Sequence, residues 1–207
     1  MLSGDKFQYL IGVDEAGRGP LAGPVVAAAV CLNRMDFSLT IQDSKKMTER
    51  QRNQAFVEIF DRASVGIGIM SGAVIDRHNI LQATFLAMNA AIRQLTFRLR
   101  NSDAVQADSE RAGCLLVDGN RFRSDFAYGV KTIVQGDSRS LSIACASVIA
   151  KVTRDRILRI YDRIFPQYGL ARHKGYPTAA HREALKQYGP SLIHRKTFGP
   201  VLASQKD

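Results

Sequence analysis

The chain has 207 residues, enough for one well-buried core and too few for two full-sized domains. Hydrophobic residues at 45% and charged residues at 23% exclude global disorder. Lys+Arg 29 against Asp+Glu 19 leaves a net charge of +10 and a sequence pI near 9.9, which points to a polyanionic partner such as nucleic acid. The longest apolar stretch, Leu21 to Leu32, is broken by Gly23 and Pro24 and falls short of the roughly 20 residues that span a membrane. The amino terminus lacks the basic-then-apolar pattern of a secretory signal. Three cysteines in apolar settings, Cys31, Cys114 and Cys145, have no zinc-ligand spacing and argue for a reducing cytoplasm.

In chain order, Phe7 to Val13 is aromatic and branched, as a buried strand requires, and it ends on Asp14-Glu15-Ala16-Gly17-Arg18-Gly19. Two adjacent carboxylates near a core are costly unless cations, hydrogen bonds or a proton compensate them; the bland alternative is a solvated acidic turn. Pro24 to Leu32 is a second strand, close enough to pair antiparallel with the first. Thr48 and Gln51 have capping-box spacing and start a helix running to about Arg62, with Lys45 and Lys46 on its leading loop. Ser64 to Ser71 alternates branched residues with glycine, as a strand closely covered on its glycine face would. Asp76 can cap the next helix, whose stripe is Leu81, Phe85, Met88, Ile92 and Leu95. From Arg98 to Arg111 periodicity is lost, and an exposed loop is expected.

Cys114 to Val117 repeats the opening logic, an apolar strand delivering an acid, Asp118, followed by Gly119. Val130 to Val134 is a short strand leading to Gly136-Asp137-Ser138, with Ser138 and Ser140 as caps for a helix from Leu141 to Phe165. On that helix Asp155 has Arg159 four residues on, so a helical ion pair is expected before a metal-ligand role. A basic loop from Arg172 to Thr178 carries His173, Lys174 and Tyr176, a short helix spans Pro177 to Tyr188, and His194 to Asp207 reads as frayed or lightly docked.

Three strand ends therefore bring Asp14, Glu15, Asp118 and Asp137 together in a strongly basic protein. A polyanion would be repelled by bare acids, so hard divalent cations between carboxylates and phosphate are the economical reconciliation, with Mg2+ or Mn2+ preferring such ligands. Two ions about 4 Å apart would serve an in-line displacement. Lys45, Lys46, Lys151, Arg172 and Lys174 are candidates for phosphate contacts, and a solvated surface is their alternative. Because successive strand residues face opposite ways, Asp14 and Glu15 can reach the same ions only if the chain leaves strand geometry there.

The segments Val13 to Gly19, Asp43-Ser44-Lys45-Lys46, Val117-Asp118-Gly119, Gly136-Asp137-Ser138, Ala146 to Asp155 and Gly175-Tyr176-Pro177-Thr178 together resemble bacterial ribonuclease HII, the type 2 ribonuclease H, over nearly the whole chain. The resemblance implies an α/β fold: a ribonuclease H-like mixed five-stranded sheet flanked by helices, with a catalytic core over 1–165 and a small helical extension over 166–207 in the same structural unit. It implies an endoribonuclease that cuts RNA in RNA/DNA hybrids and incises 5′ to single ribonucleotides in duplex DNA, working as a monomer on two Mg2+ or Mn2+ ions. By that likeness Asp14, Glu15, Asp118 and Asp137 are the metal-binding catalytic acids. Gly17, Arg18 and Gly19 read the ribose 2′-hydroxyl through backbone groups, and Tyr176 packs on the sugar. Two rival readings are a junction-resolvase type of two-metal nuclease and a non-catalytic nucleic-acid-binding protein. The first leaves the glycine-arginine-glycine and tyrosine pair unused, the second the four acids.

Overall fold

The computed structural model describes residues 9–100 and 113–204. Five strands form one mixed sheet: β1 (Tyr9–Ala16), β2 (Val25–Leu32), β3 (Ala63–Met70), β4 (Gly113–Asp118) and β5 (Gly129–Ile133), in the spatial order β3-β2-β1-β4-β5. A short link pairs β1 with β2 antiparallel, β3 returns after α1 to pair antiparallel with β2, and on the other side of β1 the strand β4 runs parallel to it and β5 parallel to β4. Among the described residues no helix is long and apolar enough to cross a membrane.

Helices cover both faces. The helix α1 (Glu49–Arg62) starts at the expected capping box, where Thr48 Oγ1 accepts from the Gln51 amide at 3.3 Å and Gln51 Oε1 accepts from the Thr48 amide at 2.9 Å. It shares one face of the sheet with α3 (Leu141–Ile164), where Ala28, Val30, Ile59, Cys145, Val148 and Ile149 form a core. The other face belongs to α2 (Gly72–Arg100), and there the expected stripe residues Met88, Ile92 and Leu95 are buried with Ile11, Val13 and Val117. A Cβ at Gly66 or Gly68 would run into α2 backbone at Ala91 and Ala87, so that face is covered as closely as its glycines suggested.

Three local expectations are corrected and a fourth changes partner. Asp76 does not cap a helix. A break at Asn79, with φ 66°, divides α2, and Asn79 Oδ1 caps the long part by accepting from the Gln82 amide at 3.0 Å. Asp76 instead accepts from the amides of Lys196 and Thr197 at 2.9 and 3.0 Å. The helix runs through Arg98 to Arg100, because Arg98 donates to the Val65 carbonyl at 2.8 Å; the remainder of the expected loop, 101–111, lies outside the described residues, as does Phe7. Ser140 occupies the N-cap position of α3, but its hydroxyl bonds Ser142 and not a helix amide. Asp155 makes the expected helical ion pair, but with Lys151 at 2.9 Å, one turn back, because Arg159 is taken by Glu49 of α1.

The carboxy-terminal stretch, expected to be frayed or lightly docked, is instead firmly packed through His194 and Arg195. After α4 (Leu170–His173) and α5 (Ala179–Tyr188), the chain returns to the loop following β1 and ends in α6 (Gly199–Ala203). The Arg195 amide donates to the Leu21 carbonyl at 2.8 Å, Gly23 donates to Ile193 at 2.9 Å, and His194 and Arg195 are buried. Leu21, Leu158, Leu170, Leu185 and Val201 make a separate apolar core beneath this segment.

Candidate active site

The acids sit where strands end. The β1–β4 pairing closes at Val13↔Val117, and β1 then continues alone against β2 through Glu15↔Ala27 and Ala16↔Val26. The chain thus does not leave strand geometry at Asp14-Glu15 as expected. Both acids nevertheless line one cleft of about 260 Å³, because β1 has outrun β4 and either face of its end borders the open edge. Asp14 is only 5% exposed and accepts from the Glu15 amide at 2.7 Å. Burial first, then the neighbouring charges of Glu15 and Asp118, push its carboxyl well above the usual range, against the pull of the Glu15 amide and the Ser147 hydroxyl. Burial also raises Glu15, and Asp118 adds to it, while Arg18 at 3.4 Å and Lys45 act the other way.

Asp118 closes β4 and holds the next turn: its Oδ1 accepts from the Gly136 amide at 2.7 Å. A side chain at Gly136 would meet Ile143 and that same carboxylate, so the glycine lets Asp137 follow tightly. Burial, then Asp43 and Asp118, raise the Asp137 carboxyl. Asp43 therefore belongs to the acidic group. Sequence reasoning missed it, although it opens the Asp43-Ser44-Lys45-Lys46 segment. Burial works against the charge of Lys45, but Asp43, Asp137, Asp14 and Asp118 outweigh it and hold its ammonium above the ordinary value.

The α3 helix supplies the floor. Ser147, Lys151 and Arg154, at spacings of four and three, face the cleft, and Ser147 bonds Ser44 at 2.7 Å. Gly17, Arg18, Gly19 and Tyr176 line the same cleft, and a Cβ at Gly19 would stand 3.8 Å from the Tyr176 ring. Of the five cationic candidates Lys45 and Lys151 border it, whereas Lys46 and Arg172 are exposed beyond its rim and Lys174 folds back onto the Ala171 carbonyl. Among the described residues no three acid or imidazole groups already form a ligand cage, so the case for cations here rests on charge and donor type. An all-carboxylate oxygen set short of positive charge suits Mg2+ or Mn2+.

Asp14 and Glu15 line the cleft, whereas Asp118 and Asp137 stand outside its lining, at the end of β4 and in the turn after β5. Carboxylates at neighbouring strand ends of a basic protein make a nuclease of the ribonuclease H fold the class to which fold and charge point. The family model described as Ribonuclease HII matches residues 11–201, and this chain belongs to the ribonuclease HII family. It is similar to ribonuclease HII of Pseudothermotoga lettingae, with 46% identity over 199 residues covering 96% of this chain and 81% of that protein. It is likewise similar to that of Magnetococcus marinus, with 47% identity over 199 residues covering 96% and 88%. Among solved structures it resembles ribonuclease H2 from Pyrococcus horikoshii OT3, with TM-score 0.70, 23% identity and coverage of 97% and 100%. Bst-RNase HIII in complex with Mn2+ gives TM-score 0.73 at 17% identity, covering 97% of this chain and 70% of that one. At those identities the structures speak for the fold. The family makes the chain a nuclease with ribonuclease H activity on RNA paired with DNA.

Proposed function

We propose that the chain incises duplex DNA on the 5′ side of a single embedded ribonucleotide, as well as cutting longer hybrids, and leaves 3′-hydroxyl and 5′-phosphate ends. Asp14, Glu15, Asp118 and Asp137 hold two Mg2+ or Mn2+ ions. When bound, such ions supply Lewis acidity toward water and the scissile phosphate. Asp14, the most buried acid, has the fixed position, held by the Glu15 amide and backed by Ser147. Lys45 and Lys151 meet backbone phosphates beside the acids.

Gly17, Arg18 and Gly19 offer backbone groups to the 2′-hydroxyl, which both donates and accepts and is the one group that separates a ribonucleotide from its deoxy counterpart. Tyr176, 44% exposed at the cleft, packs on the sugar. Residues 1–165 act as the catalytic core and 166–207 as an extension of the same unit, and the chain works as a monomer in the cytoplasm. Its cysteines suit that compartment: all three are buried and free, and burial pushes the Cys31 and Cys145 thiols up to about 11 and about 12.

The observation that carries this reading is geometric: Asp14 and Glu15 lie at the end of β1, Asp118 ends the adjacent β4 and holds the Gly136 amide at 2.7 Å, and Asp137 follows at once, all in a protein with a surplus of positive charge. The test is a labelled DNA duplex with one ribonucleotide, incubated with Mg2+ or Mn2+ and then with chelator. Metal-dependent incision 5′ to the ribonucleotide, absent from all-DNA duplex, is expected. Cleavage of a four-way junction but not of this duplex refutes the reading.

A further inference from the structure

Two arginines lie fully inside the protein under the loop that carries Gly17, Arg18 and Gly19, and among the described residues neither forms a salt bridge, although Asp155 acts on Arg154 and Asp76 on Arg195 from further off. Arg154 donates to the carbonyls of Pro24, Lys174 and Ala22 at 3.0, 3.0 and 3.1 Å. Arg195 donates to Gly17, Arg18 and Gly23 at 2.5, 2.8 and 3.1 Å. Burying a guanidinium without a salt bridge is expensive, and burial, then the nearby charge of Arg154, push Arg195 down to about 9. An apolar side chain would fill the same space at lower cost. What it could not do is orient three carbonyls at once, which the planar fork of a guanidinium does.

The orientation has a stereochemical consequence. In a trans peptide the carbonyl of one residue and the amide of the next point to opposite sides, and there are no cis bonds among the described residues. Drawing the Gly17 and Arg18 carbonyls inward therefore turns the amides of Arg18 and Gly19 outward. Both residues are exposed and line the cleft, and neither amide has an acceptor among the described residues. Two successive outward amides make a small concave donor site.

We propose that Arg195 is a positioning residue for ribose recognition: by pinning the carbonyls of Gly17 and Arg18 it aims the amides of Arg18 and Gly19 as a fixed donor pair at the oxygen of a ribose hydroxyl. This rests on the reading that the cleft takes ribose. It goes beyond that reading by assigning the discrimination to a residue far along the chain that touches no substrate.

The test measures binding of fluorescent duplexes in chelator, one with a single ribonucleotide and one all-DNA, to wild type and to Arg195→Lys, which keeps the charge and loses the fork. The expected result is a preference for the ribonucleotide in wild type that falls at least fivefold in Arg195→Lys, with all-DNA affinity within twofold. An intact preference in a folded Arg195→Lys overturns this inference alone. No preference in wild type overturns the ribose reading and this inference together. If Arg195→Lys does not fold, amide hydrogen exchange in wild type decides. Arg18 and Gly19 should exchange rapidly in the free protein and slow at least tenfold with the ribonucleotide duplex but not with all-DNA. Protection already present in the free protein, or equal slowing by both duplexes, overturns the inference.

Discussion

Replacing Gly175 by alanine should damage selectivity and stability together, because this residue is where the tyrosine loop abuts the loop after β1. Gly175 has φ +78°, and a Cβ there would stand 2.7 Å from the Ala22 carbonyl oxygen, while its own carbonyl accepts from the Leu21 amide at 2.8 Å. A left-handed alanine costs roughly 1–2 kcal/mol. The clash is with backbone, so relief needs the loops to part by roughly 0.7 Å, at an overpacking cost of about 1–3 kcal/mol. The sum, roughly 2–5 kcal/mol, lowers the melting midpoint by about 4–20 °C in a chain of this size. Tyr176 rides on the displaced loop, and since a 1 Å misplacement can cost ~10²-fold, single-turnover incision at one ribonucleotide should fall roughly tenfold per folded molecule. Gly189→Ala is the control: it has φ +65° and nothing within 4 Å of a Cβ, so it carries strain without collision. With ψ −175° it lies in backbone that essentially only glycine adopts, so it should lose about 1–3 kcal/mol and no activity per folded molecule. If the two variants melt alike and Gly175→Ala keeps full incision, the contact between the loops does not constrain the site.

Asp14→Asn should cut the turnover by about 10²-fold or more, as loss of a key electrostatic group does. It should also raise the melting midpoint of the metal-free protein, since a buried charge beside Glu15 and Asp118 is removed; a lower midpoint would contradict the charge argument. Lys45→Gln should flatten the salt dependence of substrate affinity by about one unit of slope, and Lys46→Gln, outside the cleft, should leave it unchanged; equal effects would dismiss the cleft as the phosphate track. Acidification should destabilise the protein through His194, which faces His181, His173, Tyr168 and Ser191. Burial, then His181, push it from the ordinary range down to about 4. The unfolded chain binds the proton first, so this stability is full above about pH 6.5 and is lost as pH falls towards 4, up to roughly 3 kcal/mol. Melting curves of wild type and His194→Asn over that interval test it, the variant being expected to show the shallower loss.

The sheet was legible because its signals are local. Branched runs mark all five strands, and the glycine alternation of β3 announces the close approach of α2. The acids were legible for the same reason, each following an apolar run that had to stop. What escaped were choices between equivalent local signals. Asp76 and Asn79 are both competent caps, and only the arrival of Lys196 and Thr197 decides that Asp76 is occupied elsewhere. Arg159 and Lys151 are both one turn from Asp155, and Glu49 on another helix takes the first.

Arg154 and Arg195 escaped for a different physical reason. Arginine is ordinarily a surface residue, so a run such as His194-Arg195-Lys196 reads as solvated, and no periodicity marks one cation in three as buried. Their partners are carbonyls, which every residue carries, so composition gives no hint of the pairing. The need was nonetheless implicit in Gly17, Gly19 and Gly23. A glycine-rich loop is cheap to deform, and one that must present backbone groups to a single hydroxyl needs an outside constraint of its carbonyls. In this chain Arg195 of the carboxy-terminal segment constrains the Gly17, Arg18 and Gly23 carbonyls, and Arg154 of α3 those of Ala22 and Pro24. On the proposed reading the extension takes part in recognition, so loosening its hold on the loop should be felt first in the choice of substrate and only second in turnover.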